Sequence, residues 1–152
     1  MTPIRILVTA ARMWHDVPLL VGVLDKEADG HDQVVLIHGR CDPRNVDGDR
    51  IPWDLALVES WRGPFFGGDW HAHHHAVARG WTVSEHPANW KLFKNAAGGI
   101  RNQQMVDLRP RADVCIGAPL PESVGSYDCM RRARAAGIRV VDVTRPEPEG
   151  LW

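Results

Sequence analysis

Between Gly98 and Val143 the chain sets a Gly-Gly pair at a helix start, Arg101-Asn102 inside that helix, an apolar strand ending in Gly117-Ala118-Pro119, and Gly125-Ser126 opening a further helix. Glycine lets backbone N–H groups approach a ligand without a Cβ in the way, and a helix N-terminus carries partial positive charge. The Arg101 guanidinium, expected in the first turn, can add two parallel hydrogen bonds to a phosphate. This is chemistry for an anionic, nucleotide-like ligand. A structural alternative pairs Arg101 with Asp107 or Asp113. Ser123 or Ser126 can cap the later helix or donate to a phosphate.

A second cluster, His71-Ala72-His73-His74-His75, follows Asp69. On a helix His71 and His75 share a face and His74 lies near His71, a spacing that can chelate a transition metal. No His-Glu-x-x-His pattern accompanies them, and His38, Cys41 or Asp69 would have to complete a site. An exposed histidine-rich helix near a ligand mouth is therefore the preferred reading, with no metal assigned. Asp69 is placed beside the pocket, as an N-cap and as an acceptor for a sugar hydroxyl.

These groups need a scaffold, and the apolar patterning supplies one. Ile4 to Thr9 is a short buried strand whose end carries Thr9, Arg12 and Trp14. Asp16 caps a helix over 17–28, Gly30 stops it, and Gln33 to Ile37 forms a second strand closing on His38-Gly39. Strand, helix, strand at this spacing is a parallel βαβ unit. Gly67-Gly68-Asp69 opens a helix to Arg79, and Thr82 to Glu85 is a third strand. After an irregular segment over 90–95 come a helix over 99–108, a strand over 112–116, a helix over 124–136 and a strand over 139–143. The whole predicts an α/β, Rossmann-like three-layer sandwich with a mostly parallel five-stranded sheet in the order 3-2-1-4-5. Crossovers then leave strands one and four in opposite directions. Thr9 to Arg12 form one lip of the resulting crevice and Gly117 to Ser126 the other.

Residues 42–66 break the alternation with Pro43, Pro52, Pro64, Gly48 and Gly63, and with one helical candidate over 53–61. This insertion within a domain spanning 1–144 is expected to be a lid, an oligomer contact, or a cap on the open sheet edge. Residues 145–152 read as an extended C-terminal arm.

The 152 residues, 44% hydrophobic and 24% charged, suit one core, and a net charge of -1 disfavours nucleic acid as a partner. Arg131, Arg132, Arg134 and Arg139 read as a solvated helix face. Three unpaired cysteines, no leader and no long apolar run point to a cytoplasmic protein without a membrane partner. No cofactor is expected beyond a bound nucleotide or phosphate.

The runs Arg101-Asn102-Gln103-Gln104-Met105, Ala112 to Pro119 and Gly125-Ser126 resemble the SLOG superfamily, which includes the Lonely Guy cytokinin-activating phosphoribohydrolases. The likeness is greater to its YspA-like branch, common in bacteria and phages. Further marks are Leu7-Val8-Thr9 with Arg12 and Trp14, His38-Gly39-Arg40-Cys41, Gly67-Gly68-Asp69, His86 to Trp90, and Gly99 to Asn102 with Met105-Val106-Asp107. The resemblance implies a small-molecule, nucleotide-like ligand at the mouth of the sheet, while the apolar residues of the insertion point to a homo-oligomer, dimeric or higher. The candidate ligand-binding set is Thr9, Arg12, Trp14, His38, Gly39, Gly68, Asp69, Gly99, Arg101, Asn102, Gly117, Pro119, Gly125 and Ser126. Trp14 and Trp90 could stack on a base or simply pack under loops. In the phosphoribohydrolases an Arg that Arg101 matches works with a Glu after a Pro-Gly-Gly-x-Gly-Thr loop. Here that loop differs and the Glu position falls on Cys129, with Asp128 one residue off. A binding role as sensor, carrier or sequestering protein is therefore preferred. The alternatives are a phosphoribohydrolase-type hydrolase using Arg101, and a metal-binding or oligomeric scaffold built on the histidine helix.

Overall fold

Short β-branched runs become strands here because the fold buries them on both faces. In the computed structural model, which describes residues 2–145, they are β1 (Ile4–Ala10), β2 (Val34–His38), β3 (Thr82–Glu85), β4 (Val114–Ala118) and β5 (Arg139–Asp142). All neighbours pair in parallel, in the expected order β3-β2-β1-β4-β5. The register sets Ile6 beside both Leu36 and Val114, and Ala10 beside Ala118. Beyond Arg145, the arm expected at 145–152 lies outside the described residues.

Successive strand residues face opposite ways. Ile6, Val8, Leu36 and Ile116 pack with Leu20 and Leu24 of α1 (Val17–Ala28) and with Ala72 and Ala76 of α3 (Gly68–Arg79). Leu7, Ile37 and Cys115 pack with Met105 and Val106 of α5 (Ala97–Val106) and with Met130 and Ala133 of α6 (Val124–Ala135). Each large apolar side chain buried this way contributes about 1.5–3 kcal/mol. The crossovers on the β1 side use α1 and α3, and those on the β4 side use α5 and α6. The carboxyl ends of β1 and β4 therefore part the helical layers and open a crevice.

Local chemistry sets the helix starts. Asp16 caps α1, its Oδ1 accepting from Leu19 N. Asp69 does not cap α3: the N-cap is Gly67, at φ 129°, and Asp69 sits within the first turn. Gly67 N donates to Trp14 O and Gly68 N to Ala11 O, so the loop after β1 holds the chain where the helix begins, two residues ahead of Asp69. Nor does α5 open at Gly98-Gly99. The segment expected to be irregular forms α4 (Trp90–Phe93), capped by Asn89, and a 3-10 turn over 94–96 that runs into Ala97. The preceding turn occupies the backbone groups that would otherwise start α5.

The insertion folds back on itself. Arg44 bridges antiparallel to Arg50 and Phe66, and α2 (Trp53–Val58) follows. Ile51, Trp53, Ala56 and Trp70 make a small core with Phe65 against it, and Trp53 stacks on His38 at 5.6 Å. The insertion thus covers the end of β2 and the start of α3, while Leu57, Val58 and Trp61 stay exposed. Among the described residues no helix is long and apolar enough to cross a membrane.

Candidate functional site

The crevice is a cavity of about 350 Å³, within the range of small-molecule sites of roughly 300–1,000 Å³. From the β1 end come Thr9, Arg12 and Met13, from the β2 end Gly39 and Cys41, from α3 Asp69, from α5 Arg101 and Asn102, and from the α6 start Glu122 to Ser126. Eight sequence candidates are thereby gathered: Thr9, Arg12, Gly39, Asp69, Arg101, Asn102, Gly125 and Ser126.

Arg101 is buried, and it is engaged by neutral groups rather than by Asp107 or Asp113. Its Nη1 donates to Gly39 O at 2.7 Å, its Nε to Asn102 Oδ1 at 2.9 Å, and its Nη2 points at Cys41 Sγ at 3.9 Å. Asn102 turns its amide the other way, donating to Gly125 O and to Asp128 Oδ2. One pair on α5 therefore fixes both the cavity floor and the α6 start. Asp128, held also by Arg131 and Arg132, belongs to the α5–α6 seam. Cys129 is buried against Cys115 and Thr9, behind the cavity wall rather than in it.

Asp69 is 4% exposed. Its Oδ2 accepts from Cys41 N at 3.1 Å, and its Oδ1 has no partner. Burial pushes the carboxyl above its ordinary range, against the pull of the Cys41 amide and of Arg101. The Cys41 thiol is pushed up to about 12, first by burial and then by Asp69, and keeps its proton. Arg12 stands exposed on the rim.

The α6 start remains open to a ligand. Ser123 occupies the N-cap position without a side-chain capping bond, its Oγ accepting instead from Leu120 N at 3.0 Å. The other helix start at the cavity, that of α3, brings the carboxyl of Asp69. Gly99, expected at a further helix start, lies against Arg132 in a shallow groove on the other side of α5.

The remaining candidates support the site from outside it. Trp14 is 4% exposed and its Nε1 donates to Asp16 O, so it packs in the core and presents no face to a base. Trp90 packs against Gly98 on the surface. Gly117 leaves room for Met130, whose Sδ would lie 2.5 Å from an added Cβ. Pro119 is buried behind the α6 loop. Cys41, Met13 and Glu122 were not among the ligand candidates. The signal for Cys41 was its place just past a strand end, where open α/β sheets bind ligands.

Gly39 admits Arg101: an added Cβ would lie 2.2 Å from Nη1 and 2.6 Å from Cζ. Because the obstructed atoms end a flexible side chain, Gly39→Ala is expected to expel the guanidinium while the sheet survives. The Arg101 side-chain N–H signal in NMR should move and broaden, with a stability loss of about 1–3 kcal/mol from the broken buried hydrogen bond.

Sequence comparison adds kinship to this geometry. The Gene 61 protein of Mycobacterium phage D29 is 30% identical over 141 residues, covering 91% of this chain and 94% of that protein. This chain belongs to the Gene 61 protein family. No family model matches it. No solved structure matches it.

In this member of the Gene 61 family the histidine helix spreads its side chains. His71 bonds to Phe65 O, His74 to Trp70 O, and His75 to Asp25 of α1. The group that does converge among the described residues is His38, His73 and Glu85. Arg40 N donates to His38 Nδ1 at 2.9 Å, so the ring proton sits on Nε2, which faces His73 Nδ1 at 3.0 Å. A metal on that Nε2 would need its lone pair and would turn an Nδ1 proton toward the Arg40 N–H. The trio is better suited to passing hydrogen bonds than to ligating.

Proposed function

We propose that the chain is a SLOG-type domain that binds a phosphorylated, nucleotide-derived small molecule at the carboxyl edge of its sheet. The observation carrying this reading is Asp69 Oδ1, a buried carboxyl oxygen without a partner, in the same cavity as the uncapped start of α6. Leaving such an atom unsatisfied costs about 1–3 kcal/mol, a cost that a ligand hydroxyl or amine would remove. The uncapped α6 start supplies the opposite polarity for a phosphate. One end of the cavity then suits a phosphoryl group and its floor a sugar hydroxyl.

A second reading, hydrolysis of an N-glycosidic bond, has one observation in its favour. Asp69 brings a carboxyl of raised pKa to the cavity that holds Arg101, although Cys129 stands where the phosphoribohydrolases carry Glu. Raising a carboxyl's pKa moves it toward the role of a general acid that protonates a leaving base.

Thermal-shift and calorimetric titration with nucleoside 5′-monophosphates, with base release followed in the same incubations, separates the readings. At a ligand concentration of 100 times Kd the stabilisation should be about 2.7 kcal/mol, or several degrees in Tm. Asp69→Asn should weaken binding at least tenfold without lowering the Tm of the unliganded protein. Saturable stabilisation without released base supports a binding protein, and turnover abolished by Arg101→Ala makes it a hydrolase. Absence of any saturable shift at millimolar nucleotide rejects both.

A further inference from the structure

Arg12, on the cavity rim, and Arg44, in the insertion, lie on segments that the fold brings together, close enough for their charges to act on each other. Arg44 belongs to the insertion, and its backbone N and O pair with Phe66 O and N. The next residue, Gly67, donates its N–H to Trp14 O and sits so close to the loop after β1 that an added Cβ would lie 3.3 Å from Arg12 O and 3.7 Å from Pro43 Cα. The insertion is thereby fastened to the residues that carry Arg12.

Like charges are brought together here with little to offset them. The acid of this region, Asp42, is committed elsewhere: one oxygen takes Arg50 at 2.8 Å and the other accepts from Trp53 N at 2.9 Å. Arg44 reaches only Gly48 O, at 3.3 Å, and its buried Nε has no partner. Burial, then Arg12, then Arg50 hold the Arg44 guanidinium below its ordinary range. Among the described residues neither Arg12 nor Arg44 makes an ion pair. Two neighbouring guanidinium groups, one with a buried, unbonded Nε, are a costly arrangement that an anion would relieve.

We infer that Arg12 and Arg44 form a second anion subsite, so that the ligand carries two phosphoryl groups, one at the α6 start and one at this rim. The inference rests on the nucleotide-binding reading above and assigns the insertion a part in choosing the ligand. Arg44, unlike Arg12, does not line the cavity wall. It meets only a group that projects past Arg12, which is why a ligand with a single phosphate would not use it.

Calorimetric titration with adenosine 5′-monophosphate, adenosine 5′-diphosphate and adenosine 3′,5′-bisphosphate tests this on the full chain. At least one doubly phosphorylated probe should bind ten times or more tighter than the monophosphate, with a steeper salt dependence. Arg44→Gln should erase that advantage and leave monophosphate affinity unchanged, and Arg44→Lys should restore part of it. Circular dichroism melts of both variants check that the insertion still folds, and if the Gln variant melts early the Lys variant and the salt slopes carry the comparison. If the monophosphate binds but both doubly phosphorylated probes bind no tighter, or if their advantage survives in Arg44→Gln, the second subsite is wrong and the first reading stands. Failure of all three probes overturns the nucleotide-binding reading itself.

Discussion

Replacing Gly68 with alanine is expected to cost about 3 kcal/mol or more, the upper part of the range for overpacking, because the new methyl has nowhere to go. It would lie 1.9 Å from Ala10 Cβ and 3.3 Å from Ala10 Cα, at the end of a central strand paired on β4. Neither partner is a flexible side chain, so α3 must lift off β1. For a chain of this size the loss corresponds to roughly 6–12 °C in Tm. The same contact explains why Gly68 matters to the site without lining it: the close approach of helix to strand delivers Asp69, the next residue, to the cavity floor. A double-mutant cycle provides the check. Ala10→Gly removes the nearest obstructing atom at a cost of its own of roughly 0.5–1 kcal/mol, and combined with Gly68→Ala it should recover much of the lost stability. Additive losses in urea unfolding, or a Gly68→Ala protein as stable as the parent, would show that the helix and strand are not in the contact described.

The parts of this architecture that periodicity controls were legible in the sequence. Parallel strands buried on both faces must be short continuous β-branched runs, and Ile4 to Thr9 and Val114 to Ile116 announce themselves. The strand order followed from helices alternating with strands, and with it the crevice between β1 and β4. What periodicity does not control was misplaced. Gly98-Gly99 has the composition of a helix start, yet the 3-10 turn over 94–96 leads into α5 one residue before the pair. Asp69 has the residue type of an N-cap, yet the loop after β1 anchors Gly67 and Gly68 so that the helix begins before it, and its carboxyl accepts from Cys41 N beside the cavity. Trp14 follows a strand end but turns inward to bond Asp16 O. The first was decided by a turn with no apolar repeat of its own, the second by hydrogen bonds to a segment distant in the sequence, and the third by burial together with a bond inside the loop itself. Spacing within a motif contains none of these.

His38 is the point at which acid is expected to loosen the insertion. The ring is 0% exposed, stacked on Trp53, and wedged between the Arg40 N–H on one nitrogen and His73 on the other. A second proton would have to go on Nδ1, against the Arg40 N–H. Burial first, and then the proximity of His73, depress its pKa from 6.5 to about 3; Glu85 pulls the other way, and His86 and Arg101 add to the depression. In the unfolded chain the imidazole takes up its proton as the pH falls through about 6.5, whereas the folded protein refuses it until about 3. The contribution to stability is therefore complete above the unfolded value and declines by about 1.4 kcal/mol per pH unit through that window, or about 2 kcal/mol between pH 7 and 5. His71, His73 and His86 are shifted in the same direction, all by burial first, and steepen the decline. His38→Asn isolates the one ring, since its Oδ1 can still accept from Arg40 N but nothing there titrates. Urea unfolding at pH 7, 6 and 5 should find the variant less stable at pH 7 and its pH slope shallower by close to one proton. Parallel slopes for the two proteins would mean that His38 takes up its proton in the fold as readily as in the unfolded chain, and the neutral stack beneath the insertion would have to be abandoned.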